Sequence, residues 1–168
     1  QTRGQLGLLF WEDVGEAKMR KNLRETFSRL RKELPDPDVL HVDQEYVWLD
    51  AERVHSDVRE FLSLSDQVAR QFVQIPGPGP LPESTRELIH RALGLWRVTR
   101  FAPSDDLHGT SDLEAWATQV GNRVNAARRT LLERMADHEN LLGRPESAAA
   151  YLRAALEIDP VDDTLVIR

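Results

Sequence analysis

The periodic spacing of apolar residues in segment 18–34 constrains the fold of this chain more than any other sequence feature. The sequence of this segment is KMRKNLRETFSRLRKEL. Apolar residues recur there every three or four positions, which is the period of an α-helix with one buried side. The residues on that side are Met19, Leu23, Phe27, Leu30 and Leu34. The pattern therefore predicts a helix whose apolar side contributes to a core.

The same segment concentrates positive charge. Residues 18–32 contain seven Lys or Arg and one acidic residue, a local charge of +6, whereas the whole chain has a formal net charge of −6. At about 100° per residue, most of these cations point away from the apolar side. A run of charge is often only the solvated surface of a helix. A basic stripe on one helix is also the electrostatic signature of contact with nucleic acid.

The segment after this helix indicates a β-hairpin. A Pro-Asp-Pro-Asp sequence at 35–38 ends the helix, and two short runs rich in β-branched and aromatic residues flank an Asp-Gln-Glu turn at 43–45. A short helix from Leu6 to Phe10, a turn, a long basic helix and a hairpin follow one another in the second half of a winged helix-turn-helix. In that fold the long helix enters the major groove of DNA, and the hairpin is the wing.

Three groups of residues resemble the DNA-binding domain of the Streptomyces antibiotic regulatory protein family. The first group lies in the turn before the basic helix, the second in that helix, and the third in the hairpin and the helix that follows it. They are Leu8, Leu9 and Trp11; Asn22, Leu23, Arg24, Arg29, Leu30, Arg31 and Lys32; and Val47, Leu49, Asp57, Val58 and Phe61. The resemblance implies a partial winged helix-turn-helix at residues 1–50, with the recognition helix at 16–34 and the wing at 38–50.

The resemblance also implies a second domain, a function and partners. In that family the DNA-binding domain is followed by a helical bacterial transcriptional activation domain built from tetratricopeptide-like helix pairs, which here corresponds to residues 51–168. Such regulators bind double-stranded DNA at tandem direct repeats, as dimers or paired monomers, and help to recruit RNA polymerase. These are the partners that the resemblance implies for this chain.

We expect the polar residues of the basic helix to contact DNA. They are Arg20, Lys21, Asn22, Arg24, Ser28, Arg29, Arg31 and Lys32. Arginine forks match guanine edges, and lysines supply salt-dependent affinity. The residues assigned to base edges are Arg20, Lys21, Arg24 and Ser28, and those assigned to phosphates are Arg29, Arg31 and Lys32. The hairpin turn departs from the family, which commonly has an arginine there. Its two acidic residues repel a phosphate backbone.

Residues 129–162 can be aligned with a 34-residue tetratricopeptide repeat. Ala136, Ala148 and Ala155 would let two helices approach closely, Gly143 would end the first helix, and Pro160 would follow the second. The alternative is a generic helical hairpin. A terminal repeat without a polar cap also exposes an apolar face, which favours self-association.

Three further helices complete the prediction. Apolar spacing predicts helices at 53–74 and 84–97, separated by the helix-breaking sequence PGPGPLP at 76–82. Ser111 and Glu114 have the spacing of a capping box and indicate the start of one long helix that continues to Leu142. A break near Gly121 is the alternative, because glycine costs a helix about 1 kcal/mol relative to alanine.

No motif indicates an enzyme or a metal site. The chain has no cysteine, and its five histidines lack metal-ligand spacing. The Gly-Pro-Gly-Pro run lacks the lysine and the strand-to-helix context of a phosphate-binding loop. No run approaches the roughly 18 apolar residues that span a bilayer. We therefore expect no catalysis, no metal or cofactor, no membrane association, and a cytoplasmic location.

These observations together predict a mainly α fold, with a partial winged helix-turn-helix and a small β-hairpin wing followed by a tetratricopeptide-like helical domain. The expected function is that of a DNA-binding transcriptional activator fragment. The alternative is a tetratricopeptide-like protein-interaction module with a degenerate winged helix that does not bind DNA.

Overall fold

The computed structural model describes residues 1–74, 79–97 and 110–158. The chain divides into two compact units. The first unit comprises Gln1–His55 and Ser104–Thr118, and the second unit comprises Ser56–Pro103 and Gln119–Arg168. The described secondary structure is mainly α with one small antiparallel hairpin, so the predicted fold class is confirmed at this level. Pro160 and residues 76–78 of the PGPGPLP sequence lie outside the described residues.

The first unit begins with two helices, α1 (Arg3–Phe10) and α2 (Glu16–Glu33). Thr2 caps α1, because its hydroxyl accepts a hydrogen bond from the Gln5 backbone N–H at 3.1 Å while the Gln5 side chain accepts one from the Thr2 N–H. This reciprocal pair is a capping box, which stabilises the first turn of a helix. Gly7 is buried against Met19, and the absence of a Cβ lets α1 approach α2 closely.

A 3-10 turn at Pro37–Val39 follows α2, and strands β1 (Leu40–Val42) and β2 (Val47–Leu49) form the hairpin. Its antiparallel register pairs His41 with Trp48. The start of the chain adds a third extended segment, because Thr2 forms a β-bridge with Tyr46, and the Val47 N–H donates to the Gln1 carbonyl at 3.0 Å. The hairpin is therefore attached to the N-terminus of α1.

The second unit is helical and contains the larger core. Its helices are α3 (Asp57–Gln74), α4 (Glu83–Gly94), the part of α5 (Ser111–Leu141) from Gln119 onward, and α6 (Pro145–Leu156). Phe61 of α3, Ile89 of α4 and Met135 of α5 meet in one buried cluster. A second cluster joins Leu132 of α5 to Ala155 of α6. Each helix thus buries one apolar stripe against the others, as its sequence period requires.

Helix α5 is a single helix of 31 residues, so the alternative of a break near Gly121 is wrong. Gly121 is buried, and its neighbours Ala117 and Val124 are buried on the same side of the helix. This burial offsets the helix-weakening effect of glycine. The capping prediction was wrong by one residue, because Thr110 and not Ser111 caps the helix. The Thr110 hydroxyl accepts a hydrogen bond from the Leu113 N–H at 3.3 Å.

Two other boundaries differ from the prediction. Helix α3 begins at Asp57, where the side-chain hydroxyl of Ser56 accepts from the Arg59 N–H at 3.3 Å. Helix α4 ends at Gly94 and does not continue to residue 97. Trp96 lies beyond the end of α4, with its ring edge-on to Phe61 at 5.4 Å between centroids. The apolar spacing that predicted a longer helix thus included Trp96, which lies after the end of α4 and packs on α3.

A histidine holds the segment before α4 against α5. Nδ1 of His138 accepts a hydrogen bond from the Leu81 backbone N–H at 2.9 Å, and the side chain is 4% exposed. Within the described residues, its Nε2 has no hydrogen-bond partner. Burial lowers the pKa of His138 from its usual range, Glu139 acts in the opposite direction, and Arg86 and Arg144 add to the lowering. His138 is therefore neutral and acts as an acceptor in the folded unit.

Candidate nucleic-acid interface

Helix α2 is anchored in the first unit by its N-terminal half. Met19 and Leu23 are buried, whereas Phe27 and Leu34 are half-buried and Leu30 is exposed. The apolar stripe predicted from sequence therefore exists, but its burial decreases along the helix. The polar side of α2 faces away from these residues, so its cations are available to a ligand.

The structure exposes most of the eight predicted site residues. Asn22 is half-buried, and the exposed ones are Arg20, Lys21, Arg24, Ser28, Arg29, Arg31 and Lys32. Lys21 lies 3.8 Å from the Glu25 carboxylate, an exposed pair one turn apart that is worth little in free energy. Within residues 1–74, 79–97 and 110–158, Arg24, Arg29 and Lys32 form no ion pair or side-chain hydrogen bond.

Two of the predicted arginines already have partners. Arg20 forms an ion pair with Glu16, one turn earlier on α2. The Arg31 guanidinium donates through Nη2 to the backbone carbonyl of Leu40 at 3.1 Å. This contact ties the end of α2 to β1, so Arg31 orients the hairpin relative to the helix. Its sequence pattern did not indicate this, because the acceptor is a backbone oxygen.

A groove of about 650 Å³ lies beside these cations. Its walls are the N-terminus of α1, one side of α2 and the hairpin turn. Its lining residues are Thr2, Arg3, Gly4, Glu16, Ala17, Met19, Arg20, Leu23, Arg24, Gln44 and Glu45. Arg20 and Arg24 thus face the space between the helix and the hairpin, whereas Asn22 and Arg29 lie on the other flank of α2, because successive residues of a helix are separated by about 100°.

Sequence reasoning missed Arg3 as a member of this surface. Its Nη1 donates to the backbone carbonyl of Asp43 in the hairpin turn at 3.0 Å, and its side chain lines the groove. Arg3 and Asp43 are 40 residues apart in sequence, so no local spacing connects them. The capping-box pattern of Thr2 and Gln5 is the one signal that could have placed Arg3 at the start of a helix.

The hairpin turn is acidic and rigid. Oδ1 of Asp43 accepts hydrogen bonds from the backbone N–H groups of Glu45 at 2.7 Å and Tyr46 at 2.6 Å. The hydrogen bonds from Tyr46 and Glu45 lower the pKa of Asp43, and the charge of Arg3 adds to this lowering. Asp43 is therefore ionised at neutral pH, so the turn carries the negative charge that its two acidic residues predict.

The second unit presents a helical hairpin at the predicted repeat. Gly143 has a φ of +69°, which glycine adopts without strain, and it lies between α5 and α6. Ala136, Ala148 and Ala155 are buried, and Ala155 belongs to the cluster that joins α6 to Leu132 of α5. Glu139 is also buried, at 7% exposure, and its carboxylate lies 3.6 Å from Nη1 of Arg144.

A family model described as the bacterial transcriptional activator domain matches residues 56–168, which is more than half of the chain. The chain belongs to the bacterial transcriptional activator domain family. The match begins at Ser56, where the second compact unit also begins, so α3 to α6 lie within the bacterial transcriptional activator domain and α1, α2 and the hairpin precede it. None of the curated proteins or solved structures compared with this chain matches it.

Membership of this family indicates a role in bacterial transcription activation. Among the helices that the structure describes, none has both the length and the apolar character needed to cross a bilayer. In the same residues, no group of three His, Cys, Asp or Glu side chains is gathered in an arrangement that could hold a metal ion.

Proposed function

We propose that this protein is a DNA-binding transcriptional activator of the Streptomyces antibiotic regulatory protein type. Residues 1–50 would be the C-terminal part of a winged helix-turn-helix, with α2 as the recognition helix in the major groove and residues 38–50 as the wing. Residues 51–168 would be the activator domain, including a tetratricopeptide-like repeat at about 129–162. The proposal involves no catalytic step, metal or cofactor.

The observation that carries the proposal is the set of exposed, unpaired cations on α2. Arg24, Arg29 and Lys32 make no ion pair within the described residues, and α2 has a hairpin directly after it. Cations without protein partners are available to replace the counterions of a DNA backbone. The order of two helices joined by a short turn and then a hairpin matches that of winged helix proteins.

The contacts within the first unit refine the expected roles. Arg24 and Ser28 are the best candidates for base edges, because neither side chain is held by a protein partner within the described residues. Arg29 and Lys32 are assigned to phosphates. Arg20 would have to leave Glu16 before it reached a base, and Arg31 would position the wing through its contact with the Leu40 carbonyl.

The activator domain would supply protein contacts. By resemblance, its helices are expected to help recruit RNA polymerase and to pair two copies of the chain on tandem DNA repeats. The buried alanines of α5 and α6 support a tetratricopeptide-like hairpin, a unit that commonly binds or stacks on protein. A cytoplasmic location is part of the same proposal.

Fluorescence anisotropy with a labelled random-sequence duplex tests DNA binding. The double variant Arg29→Ala, Lys32→Ala should bind less tightly at low salt. Because both cations are assigned to phosphates, the slope of log affinity against log salt should become shallower by about 1.8, since each phosphate contact contributes about 0.9. The matched control is Arg59→Ala, Arg70→Ala, which removes the same charge from exposed positions on α3.

Equal losses in the two double variants would mean that overall charge and not α2 attracts DNA. An absence of binding at any salt concentration would favour the second candidate function, a tetratricopeptide-like protein-interaction module with a degenerate winged helix. The acidic turn at Asp43 and Glu45 favours that alternative, because carboxylates beside phosphates are repulsive. A protein interface with an apolar core should also depend only weakly on salt.

A further inference from the structure

The hairpin has one face that its own unit leaves uncovered. Strand alternation places Leu40, Val42 and Val47 on the inner face, and Leu40 and Val47 are buried. The side chains on the opposite face, termed the outer face, are His41, Asp43, Tyr46 and Trp48. In this set Tyr46 is 48% and Trp48 47% exposed.

The outer face is ordered before any partner arrives. The His41 and Trp48 rings stack with 5.2 Å between centroids and 13° between planes, because the two residues are directly paired across the strands. At the end of the same face, the Asp43 N–H donates to the Tyr46 carbonyl at 3.1 Å. The exposed Trp48 ring is therefore held by its stacking on His41, and Tyr46 and Asp43 lie opposite each other on the same face. Little conformational entropy of the Trp48 side chain is lost when a ligand binds.

The charge of this face is unsuited to DNA. Glu45 adds a second carboxylate in the turn beside Asp43, and Arg3 donates a hydrogen bond to the Asp43 backbone carbonyl. Carboxylates beside phosphates are repulsive, whereas carboxylates beside aromatic rings attract guanidinium and ammonium groups. A cation over the face of a tryptophan strengthens binding by about twofold to fivefold at an exposed site, and a nearby carboxylate adds an ion pair.

We propose that the outer face of the hairpin docks a basic segment of a protein partner, with an arginine of that segment stacked on Trp48 and paired with the acidic turn. Charge complementarity identifies the partner's chemistry. A purely apolar segment would form no ion pair with these exposed carboxylates, and a nucleic acid would bring its phosphates close to them. This docking does not depend on DNA binding by α2, because it uses the opposite charge and different residues.

NMR titration of the full chain with a synthetic peptide tests the proposal. The peptide alternates arginine with glycine and leucine, and its matched control has citrulline in place of every arginine, which removes the charge and keeps the shape. The arginine peptide should shift the indole N–H resonance of Trp48 and the backbone amides of β1 and β2. The citrulline peptide should bind at least about twofold more weakly, because the ion pairs and the cation–π contact are lost.

Variants distinguish binding at the outer face from attraction of the peptide to the net negative charge of the chain. Trp48→Ala should weaken arginine-peptide binding by about twofold to fivefold, and Trp48→Phe, which keeps an aromatic ring, should weaken it less. Asp43→Asn with Glu45→Gln should also weaken it, and asparagine can still accept the two turn hydrogen bonds. The controls are Trp116→Ala, a tryptophan that is 55% exposed on α5, and Glu12→Gln with Asp13→Asn in the turn before α2.

Several outcomes would overturn the proposal. Equal binding of the citrulline peptide would remove the role of charge, and shifts confined to other elements would remove the role of the outer face. Equal losses in the control variants would show that the peptide responds only to the net negative charge of the chain. Stronger perturbation of the Trp48 resonance by a DNA duplex than by the peptide would assign the outer face to nucleic acid.

Discussion

Substitution of Gly7 by alanine tests how closely α1 and α2 are packed. A Cβ at Gly7 would lie 2.4 Å from Sδ and 2.6 Å from Cγ of Met19, whereas ordinary contacts are 3.5–4.0 Å. Overpacking of this kind typically costs about 1–3 kcal/mol, and the gain in helix propensity returns up to about 1 kcal/mol. We therefore expect Gly7→Ala to destabilise the first unit by about 1 kcal/mol.

Hydrogen exchange of the α1 and α2 amides is the appropriate assay, because it reports local opening even if the two units unfold separately. A loss of 1 kcal/mol corresponds to about fivefold faster exchange. Gly4→Ala is the matched control on the same helix, since a Cβ there meets no atom within 4 Å. Gly4→Ala should slow exchange or leave it unchanged, so the two substitutions should act in opposite directions.

A second background isolates the contact with Met19. Met19→Ala alone should destabilise the unit by about 2–5 kcal/mol, because it leaves a cavity. When Gly7→Ala is added to that variant, the new methyl group enters the vacated space, and the second substitution should become stabilising. If Gly7→Ala protects α1 and α2 as well as Gly4→Ala does in the original chain, the close approach of the helices is refuted.

Three other expectations follow from single contacts. In the folded chain the pKa of His138 lies below its usual value of 6.5, so the unfolded chain binds more protons and the unfolding free energy should fall as the pH drops below about 6.5. In urea-unfolding measurements at several pH values, the unfolding free energy should depend less on pH in His138→Asn, which keeps a hydrogen-bond acceptor. Thr110→Ala should cost about 1 kcal/mol by removing the cap of α5, whereas Ser111→Ala should stay within about 0.5 kcal/mol, and equal costs would contradict the observed cap. Arg31→Ala should speed hydrogen exchange in β1 and Lys32→Ala should not, since of these two side chains only that of Arg31 donates to the strand; unchanged exchange in both variants would contradict the positioning role of Arg31.

Helix locations followed from sequence where the signal was local. The apolar period and the Pro-Asp-Pro-Asp sequence placed the basic helix at 18–34, and α2 is observed at Glu16–Glu33. The β-branched runs on either side of the 43–45 turn likewise became β1 and β2. Each prediction succeeded because the signals that define the element are local. They are the helix or strand period of the apolar residues and the residues that end the element.

Helix ends and the partners of the charged side chains were harder to predict. Trp96 continued the apolar period of α4, but it packs on Phe61 of another helix instead. No sequence pattern indicated that the guanidinium of Arg134 would lie over the Phe72 ring, 4.5 Å from its centroid. Such contacts depend on which helices become neighbours, which a period within one helix cannot indicate.

The amino-acid sequence by itself determined that this protein is mainly helical, that one helix has a basic side, and that an acidic turn follows it, because periodicity and charge are local properties. The tertiary structure decided which cations remain available. It tied Arg31 to the Leu40 carbonyl, brought Arg3 to the Asp43 carbonyl, and left Arg24 without a partner among the described residues. Backbone oxygens are present at every residue, so only the folded arrangement of distant segments determines which of them accepts a hydrogen bond.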